Sequence, residues 1–145
     1  QAQAIHILRQ AATLAEAAGV TLLLEPLNTR IDHPGMFLND TRLALDIIEA
    51  VDSPRLQLLF DVYHSMVMEE EMEEVLGGRM HRVGHVQIAQ APDRNEPDPR
   101  SGEWPNVIAR LQRLGYNGAI GLEYKPSLPA AASVARAREA TGLSC

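Results

Sequence analysis

Four short aliphatic runs, each carrying an oxygen-bearing side chain at or near its C-terminal end, constrain this chain more than any other feature. They are Val20 to Leu24 ended by Glu25, Leu56 to Phe60 ended by Asp61, Val83 to Ala89 containing Gln87, and Ala119 to Leu122 ended by Glu123. Short, aliphatic and bounded by breakers, such runs are expected as buried strands. Helical patterns separate them. Ile5, Leu8, Ala12 and Ala15 recur at helical spacing before a stop at Gly19. Asp40 or Thr41 can cap a helix reaching Val51, with Leu43, Ala44, Ile47 and Ile48 on one face. Further helices are expected over Glu69 to Leu76 (stopped by Gly77-Gly78), Trp104 to Leu114 (closed by Gly115) and Ala130 to Ala140.

Alternation of this kind predicts an α/β chain with right-handed crossovers and a parallel sheet. In such a sheet all strand C-termini share one edge, and ligands bind there. Glu25, Asp61, Gln87 and Glu123 follow one another at 36, 26 and 36 residues, about one strand–helix unit each. Four oxygen-bearing side chains are thus expected to converge.

Period-two alternation sets which side of each strand they share. With Glu25 inward, Leu22 and Leu24 face the helices and Leu23 turns in. With Asp61 inward, Leu59 and Gln57 turn in. With Gln87 inward, His85 and Ala89 turn in, while Val86 and Ile88 face out. With Glu123 inward, Gly121 and Ala119 turn in, while Ile120 and Leu122 face out. The outward set is large and aliphatic; the inward set is mixed, as in a barrel lumen near an active site.

Three carboxylates cannot crowd together ionised without compensation. A divalent cation supplies it, and oxygen-only ligation favours Mg²⁺ or Mn²⁺. The plainer reading, that each acidic residue only caps a following turn, stays open for any one position. Equivalent placement at four strand ends weighs against it.

Composition narrows the partners. The net charge of −6 over 145 residues argues against broad nucleic-acid binding. No apolar run approaches the ~20 residues of a membrane helix, and no secretory signal is visible. The only cysteine, Cys145, precludes an internal disulfide, and a cytoplasmic setting is expected. The Ala91 to Arg100 stretch, with three prolines, is the longest expected loop.

Several stretches go beyond pattern. Glu25-Pro26-Leu27-Asn28-Thr29-Arg30, Phe60-Asp61-Val62-Tyr63-His64, Gly84-His85-Val86-Gln87-Ile88-Ala89, Arg94-Asn95-Glu96-Pro97 and Gly121-Leu122-Glu123-Tyr124-Lys125-Pro126 resemble the hydroxypyruvate isomerase family, among the xylose-isomerase-like TIM barrels. The resemblance runs from about residue 1 to 127 in order and spacing. It implies a parallel (β/α) barrel of which residues 1–145, one domain, supply the C-terminal four strand–helix units. It implies isomerisation of hydroxypyruvate to 2-hydroxy-3-oxopropanoate, or the related 2-oxo-tetronate reaction. It implies a divalent metal held by Glu25, Asp61, Gln87 and Glu123, with the two glutamates as the proton-transfer pair. Gln87 stands where related sugar epimerases carry histidine, which favours the isomerase branch over a ketose 3-epimerase.

The residue types suit that chemistry. A carboxylate on each side can remove and return one proton through an enediolate, and a divalent ion polarises the carbonyl. By resemblance, His64 would hydrogen-bond a substrate oxygen. Arg94 could pair with the carboxylate of a small hydroxy-keto acid, or be a solvated loop arginine. His85 is expected one layer below the metal, and His6, His33 and His81 as ordinary helix or loop residues. The Glu69 to Glu74 run is expected as a solvated helix start. Met66, Met68 and Met72 are expected to pack.

A full barrel of this kind has eight strands in ~250 residues. The opening residue is Gln1, and a fragment of a longer enzyme is one expectation. Others are a homo-oligomer of half barrels, a separate chain supplying the N-terminal half, or a non-catalytic remnant. An endonuclease-like reading fits poorly, because the expected set of histidine ligands for a zinc cluster is missing.

Overall fold

The computed structural model of the chain describes residues 1–143; Cys145, on which the redox expectation rests, lies outside them. Helix α1 (Ala2–Ala18) ends at Gly19, whose φ of 69° is the left-handed conformation that closes a helix without a Cβ clash. Strand β1 (Leu22–Leu24) follows. Helix α2 (Thr41–Val51) starts where Asp40 accepts a hydrogen bond from the Leu43 N–H at 2.8 Å. Strand β2 (Leu56–Asp61) leads directly into α3 (Val62–Val67), then α4 (Met72–Leu76) and β3 (Val83–Ile88). Helix α5 (Trp104–Arg113), β4 (Ile120–Leu122) and α6 (Ala130–Thr141) complete the order.

The four strands form one parallel sheet in the order β1-β2-β3-β4. Leu56, Leu58, Phe60, Val86 and Ile88 are buried beneath the helices, with Ala44, Leu45, Ile47 and Ile48 from α2 and Trp104 and Leu111 from α5. The expected inward residues occupy the other face. Gln57, Leu59, His85 and Gln87 are half-buried there, and Leu23 is exposed. Two glycines let side chains cross this face closely. A Cβ on Gly84 would stand 2.6 Å from Gln57 Oε1, and one on Gly121 2.7 Å from His85 Nε2.

Three details differ from expectation. Helix α3 begins at the residue after Asp61, whose carboxylate accepts from the Tyr63 N–H at 2.9 Å; six residues were too few to show a period. Leu122 faces the helix side yet is 42% exposed, because β4 is an edge strand with no neighbour beyond it among the described residues. The glutamate run is exposed as expected except at Glu70, but its helix opens at Met72 rather than Glu69, whose backbone is left-handed at φ 60°. Glu70 accepts from the Thr41 N–H and hydroxyl at 2.8 and 2.7 Å, and Glu71 and Glu73 pair with Arg110. Met72 is buried and Met66 packs against the core.

Candidate active site

The parallel register places the strand-end residues together. Asp61 is the partner of Gln87 across β2 and β3, and the Glu123 N–H reaches the Ile88 carbonyl at 3.4 Å. Glu25 follows Leu24, which pairs with Leu58. One ligand atom from each of Glu25, Asp61 and His64 lies within 4.8 Å of the others. His64 Nε2 is 3.6 Å from Glu25 Oε1 and 3.7 Å from Asp61 Oδ2. Glu123 lies outside that trio and joins it through Arg94, whose guanidinium is 2.7 Å from Glu123 Oε2 and 3.3 Å from Asp61 Oδ2. The same guanidinium carbon stands 4.9 Å from the centroid of the Tyr63 ring.

Burial and crowding set the charges. Glu25 is pushed up to about 7 by burial, then by the neighbouring Asp61 and Glu123 carboxylates. Asp61, whose side chain is wholly buried, is pushed up to about 6 by burial, against the Tyr63 N–H and Arg94. His64 is pushed down to about 4 by burial and by Arg94, so its imidazole is neutral near pH 7.

The tautomer of that imidazole follows from its other nitrogen. His64 Nδ1 accepts the Asn28 backbone N–H at 3.1 Å. A backbone amide only donates there, so Nδ1 is bare and the proton of the neutral ring sits on Nε2. Nε2–H is a donor aimed between two carboxylates, with no lone pair to offer a cation. Oxygens remain. Glu25 Oε1 and Gln87 Oε1 are buried without hydrogen-bond partners, which is the arrangement a bound hard cation would satisfy. Carboxyl groups whose protonated forms are favoured by burial and by one another fit the same group.

Three residues here escaped the sequence reading. Asn28 is fully buried and its Nδ2 stands 2.7 Å from His64 Nδ1 and donates to Asp32 at 2.8 Å. Asp32 also accepts from the Tyr63 hydroxyl at 2.6 Å. Asn28 and Tyr63 lie within stretches that carry the resemblance, beside Glu25 and Asp61; Asp32 lies outside them and has no spacing signal. His33, expected as an ordinary histidine, has its ring centroid 5.7 Å from that of His64. His85 is half-buried on the lumen face, against Gly121. Lys125 is exposed and its backbone N–H donates to the Arg94 carbonyl at 2.7 Å.

Residues 1–141 match the family model described as xylose isomerase-like TIM barrel. The chain belongs to this family. It is 35% identical over 122 residues to hydroxypyruvate isomerase of Escherichia coli, covering 84% of this chain and 47% of that protein. It is 41% identical over 116 residues to 2-oxo-tetronate isomerase of Cupriavidus necator, covering 80% of this chain and 44% of that protein. A crystal structure described as AP endonuclease, family 2 from Brucella melitensis superposes with a TM-score of 0.81 at 34% identity. That match covers 90% of this chain and 50% of the other. The chain therefore spans about half the length of the relatives it matches, and its open four-stranded sheet is half of the family's barrel. Among the described residues no helix is long and apolar enough to cross a membrane.

Proposed function

We propose that the chain carries the proton-transfer and metal-binding half of a hydroxypyruvate isomerase. The observation that carries this reading is the convergence of Glu25, Asp61 and His64 at one sheet edge, where one oxygen of the half-buried Glu25 has no hydrogen-bond partner among the described residues and faces His64 Nε2 at 3.6 Å. Glu25 and Glu123, at the ends of the two outer strands, are the proton-transfer pair. One takes a proton from the hydroxymethyl carbon of hydroxypyruvate. The other returns a proton to the adjacent carbon, and the hydroxyl proton passes from the oxygen of the first carbon to that of the second, so that the ketone becomes an alcohol and the primary alcohol an aldehyde. Electrons and atoms balance within one molecule.

Glu25, Asp61, Gln87 and Glu123 would hold a divalent cation, Mg²⁺ or Mn²⁺. Bound, such an ion polarises the substrate carbonyl and stabilises the enediolate oxygens. His64 donates its Nε2–H to a substrate oxygen. Arg94 takes the substrate carboxylate on its fork, a task for which guanidinium geometry is suited.

Completion of the barrel is part of the proposal. Four further strand–helix units, from a longer chain, a separate chain or a second copy, would pair with β1 and β4 and cover the lumen face. A cytoplasmic setting belongs to the same reading and rests on the single cysteine. A second substrate, a 2-oxo-tetronate, is favoured by the 41% identity to the Cupriavidus necator enzyme. The test is formation of 2-hydroxy-3-oxopropanoate from hydroxypyruvate with Mg²⁺ or Mn²⁺, by this chain alone and with the N-terminal half of a relative added. Metal-dependent product is expected in the completed barrel. Its absence there, with turnover of a 2-oxo-tetronate, would transfer the assignment to the second substrate; absence of both would end the isomerase reading.

A further inference from the structure

We infer that Glu96 is a positioning residue for this site: its buried carboxylate, fastened to Ser127, sets the Arg94 loop against the strand end that carries Glu123. The inference rests on the roles proposed for Arg94 and Glu123.

Glu96 is 2% exposed and ranks among the largest fully buried side chains. Burying a carboxylate is unfavourable unless its oxygens are hydrogen-bonded. Both are. Oε2 accepts the Ser127 N–H at 2.9 Å and Oε1 accepts the Ser127 hydroxyl at 2.7 Å. Those donors lie on the segment after β4, four residues beyond Glu123. Glu96 lies on the loop after β3, two residues beyond Arg94.

Two more contacts run along the same seam. The Lys125 N–H donates to the Arg94 carbonyl at 2.7 Å, and the Arg94 guanidinium meets Glu123 at 2.7 Å. The residue pairs 94/123, 94/125 and 96/127 therefore advance together along two loops. Arg94 itself has φ 56°, a left-handed backbone that a non-glycine residue keeps only when its surroundings impose it.

The far side of the loop is fixed separately. Gln90 accepts from Trp104 Nε1 at 2.8 Å and from the Asp98 N–H at 3.1 Å, and its own N–H donates to the Asn95 carbonyl at 2.8 Å. Gln90 thus anchors the loop to α5, and Glu96 anchors it to the Glu123 segment. Without the second anchor, the Arg94 guanidinium loses its fixed place.

The test reads Arg94 directly by NMR of the full chain, through the order of its side-chain Nε–H and the hydrogen exchange of the Lys125 amide. It needs no turnover, so its failure is separable from failure of the isomerase reading. In Glu96→Ala we expect the Arg94 order parameter to fall below about 0.6 and Lys125 exchange to accelerate about tenfold, with a cooperative melt retained. Glu96→Gln should restore both, because its amide can accept from the Ser127 N–H and donate to the Ser127 hydroxyl. Ser127→Ala, which removes one donor only, should show the same changes in smaller measure and serves if Glu96→Ala does not fold. Unchanged Arg94 order and Lys125 protection in a folded Glu96→Ala or Ser127→Ala protein would overturn the inference.

Discussion

Glu25 Oε1 stands 3.6 Å from His64 Nε2, and neither atom has a hydrogen-bond partner among the described residues. The pair couples a carboxylate poised near neutrality to an imidazole whose Nδ1 is occupied by the Asn28 N–H. Base and donor thus face the same space at the sheet edge, beside Asp61 and below Arg94.

Stability of the metal-free chain should fall as pH rises from 5 to 7. Folded Glu25 (about 7) and Asp61 (about 6) bind protons more tightly than their unfolded forms, so their stabilising contribution is lost as pH rises through those values. His64 opposes them: its value of about 4 makes stability rise with pH up to its ordinary value near 6.5. Two groups outweigh one, leaving a net loss of about 1–2 kcal/mol over this window. Thermal melts at pH 5, 6 and 7 check it. Added Mn²⁺ should reverse the trend, because cation binding requires the deprotonated carboxylates.

Arg94→Lys should weaken substrate binding by roughly ten- to a hundredfold while the fold persists. Arg94 meets Asp61 and Glu123 through Nη2 alone, so a lysine keeps the charge for those contacts but cannot offer a two-pronged fork to a substrate carboxylate, nor stack equally on Tyr63. Steady-state kinetics of the completed barrel should show this in KM. An unchanged KM would return Arg94 to the class of solvated loop residues.

Gly121→Ala should cost about 1–3 kcal/mol by overpacking. Its Cβ would meet His85 Nε2 at 2.7 Å and Gln87 Cγ at 3.3 Å, so two lumen side chains must give way. Urea unfolding with an unchanged slope and a lower midpoint is the expected record.

Most of the fold was legible because aliphatic runs and helix stops are local signals. Gly19 and Asp40 act where their chemistry requires, and the four strands appear at the four runs. The face-sharing of Glu25, Asp61, Gln87 and Glu123 followed from period two and parallel order alone. What was illegible depends on contacts distant in sequence. The Asn28–His64 bond joins residues 36 apart, Asp32 and Tyr63 meet across 31, and Glu96 and Ser127 across another 31. No periodicity encodes such pairs. Leu122 faces the helices as its alternation requires, and its exposure has a related cause: strand order, not residue type, decides which aliphatic side chain lies at an edge.

Two unpaired strand edges, β1 and β4, and an open lumen face predict self-association of the isolated chain. Exposed Leu23, Val20 and Phe37 near the β1 edge and Leu122 on β4 add apolar area. Sedimentation velocity should find species at or above twice the 15.9 kDa monomer. A concentration-independent monomer would contradict this.

The most direct measurement is solvent deuterium entering the hydroxymethyl carbon of hydroxypyruvate, followed by NMR with Mg²⁺ or Mn²⁺ in the completed barrel. It detects proton abstraction whether or not product accumulates. Metal-dependent exchange is expected, falling at least about a hundredfold in Glu123→Gln. The melting curve should stay unchanged, since the Glu123 side chain is 53% exposed and its ion partner is Arg94. Exchange at the wild-type rate in Glu123→Gln would contradict the two-glutamate assignment.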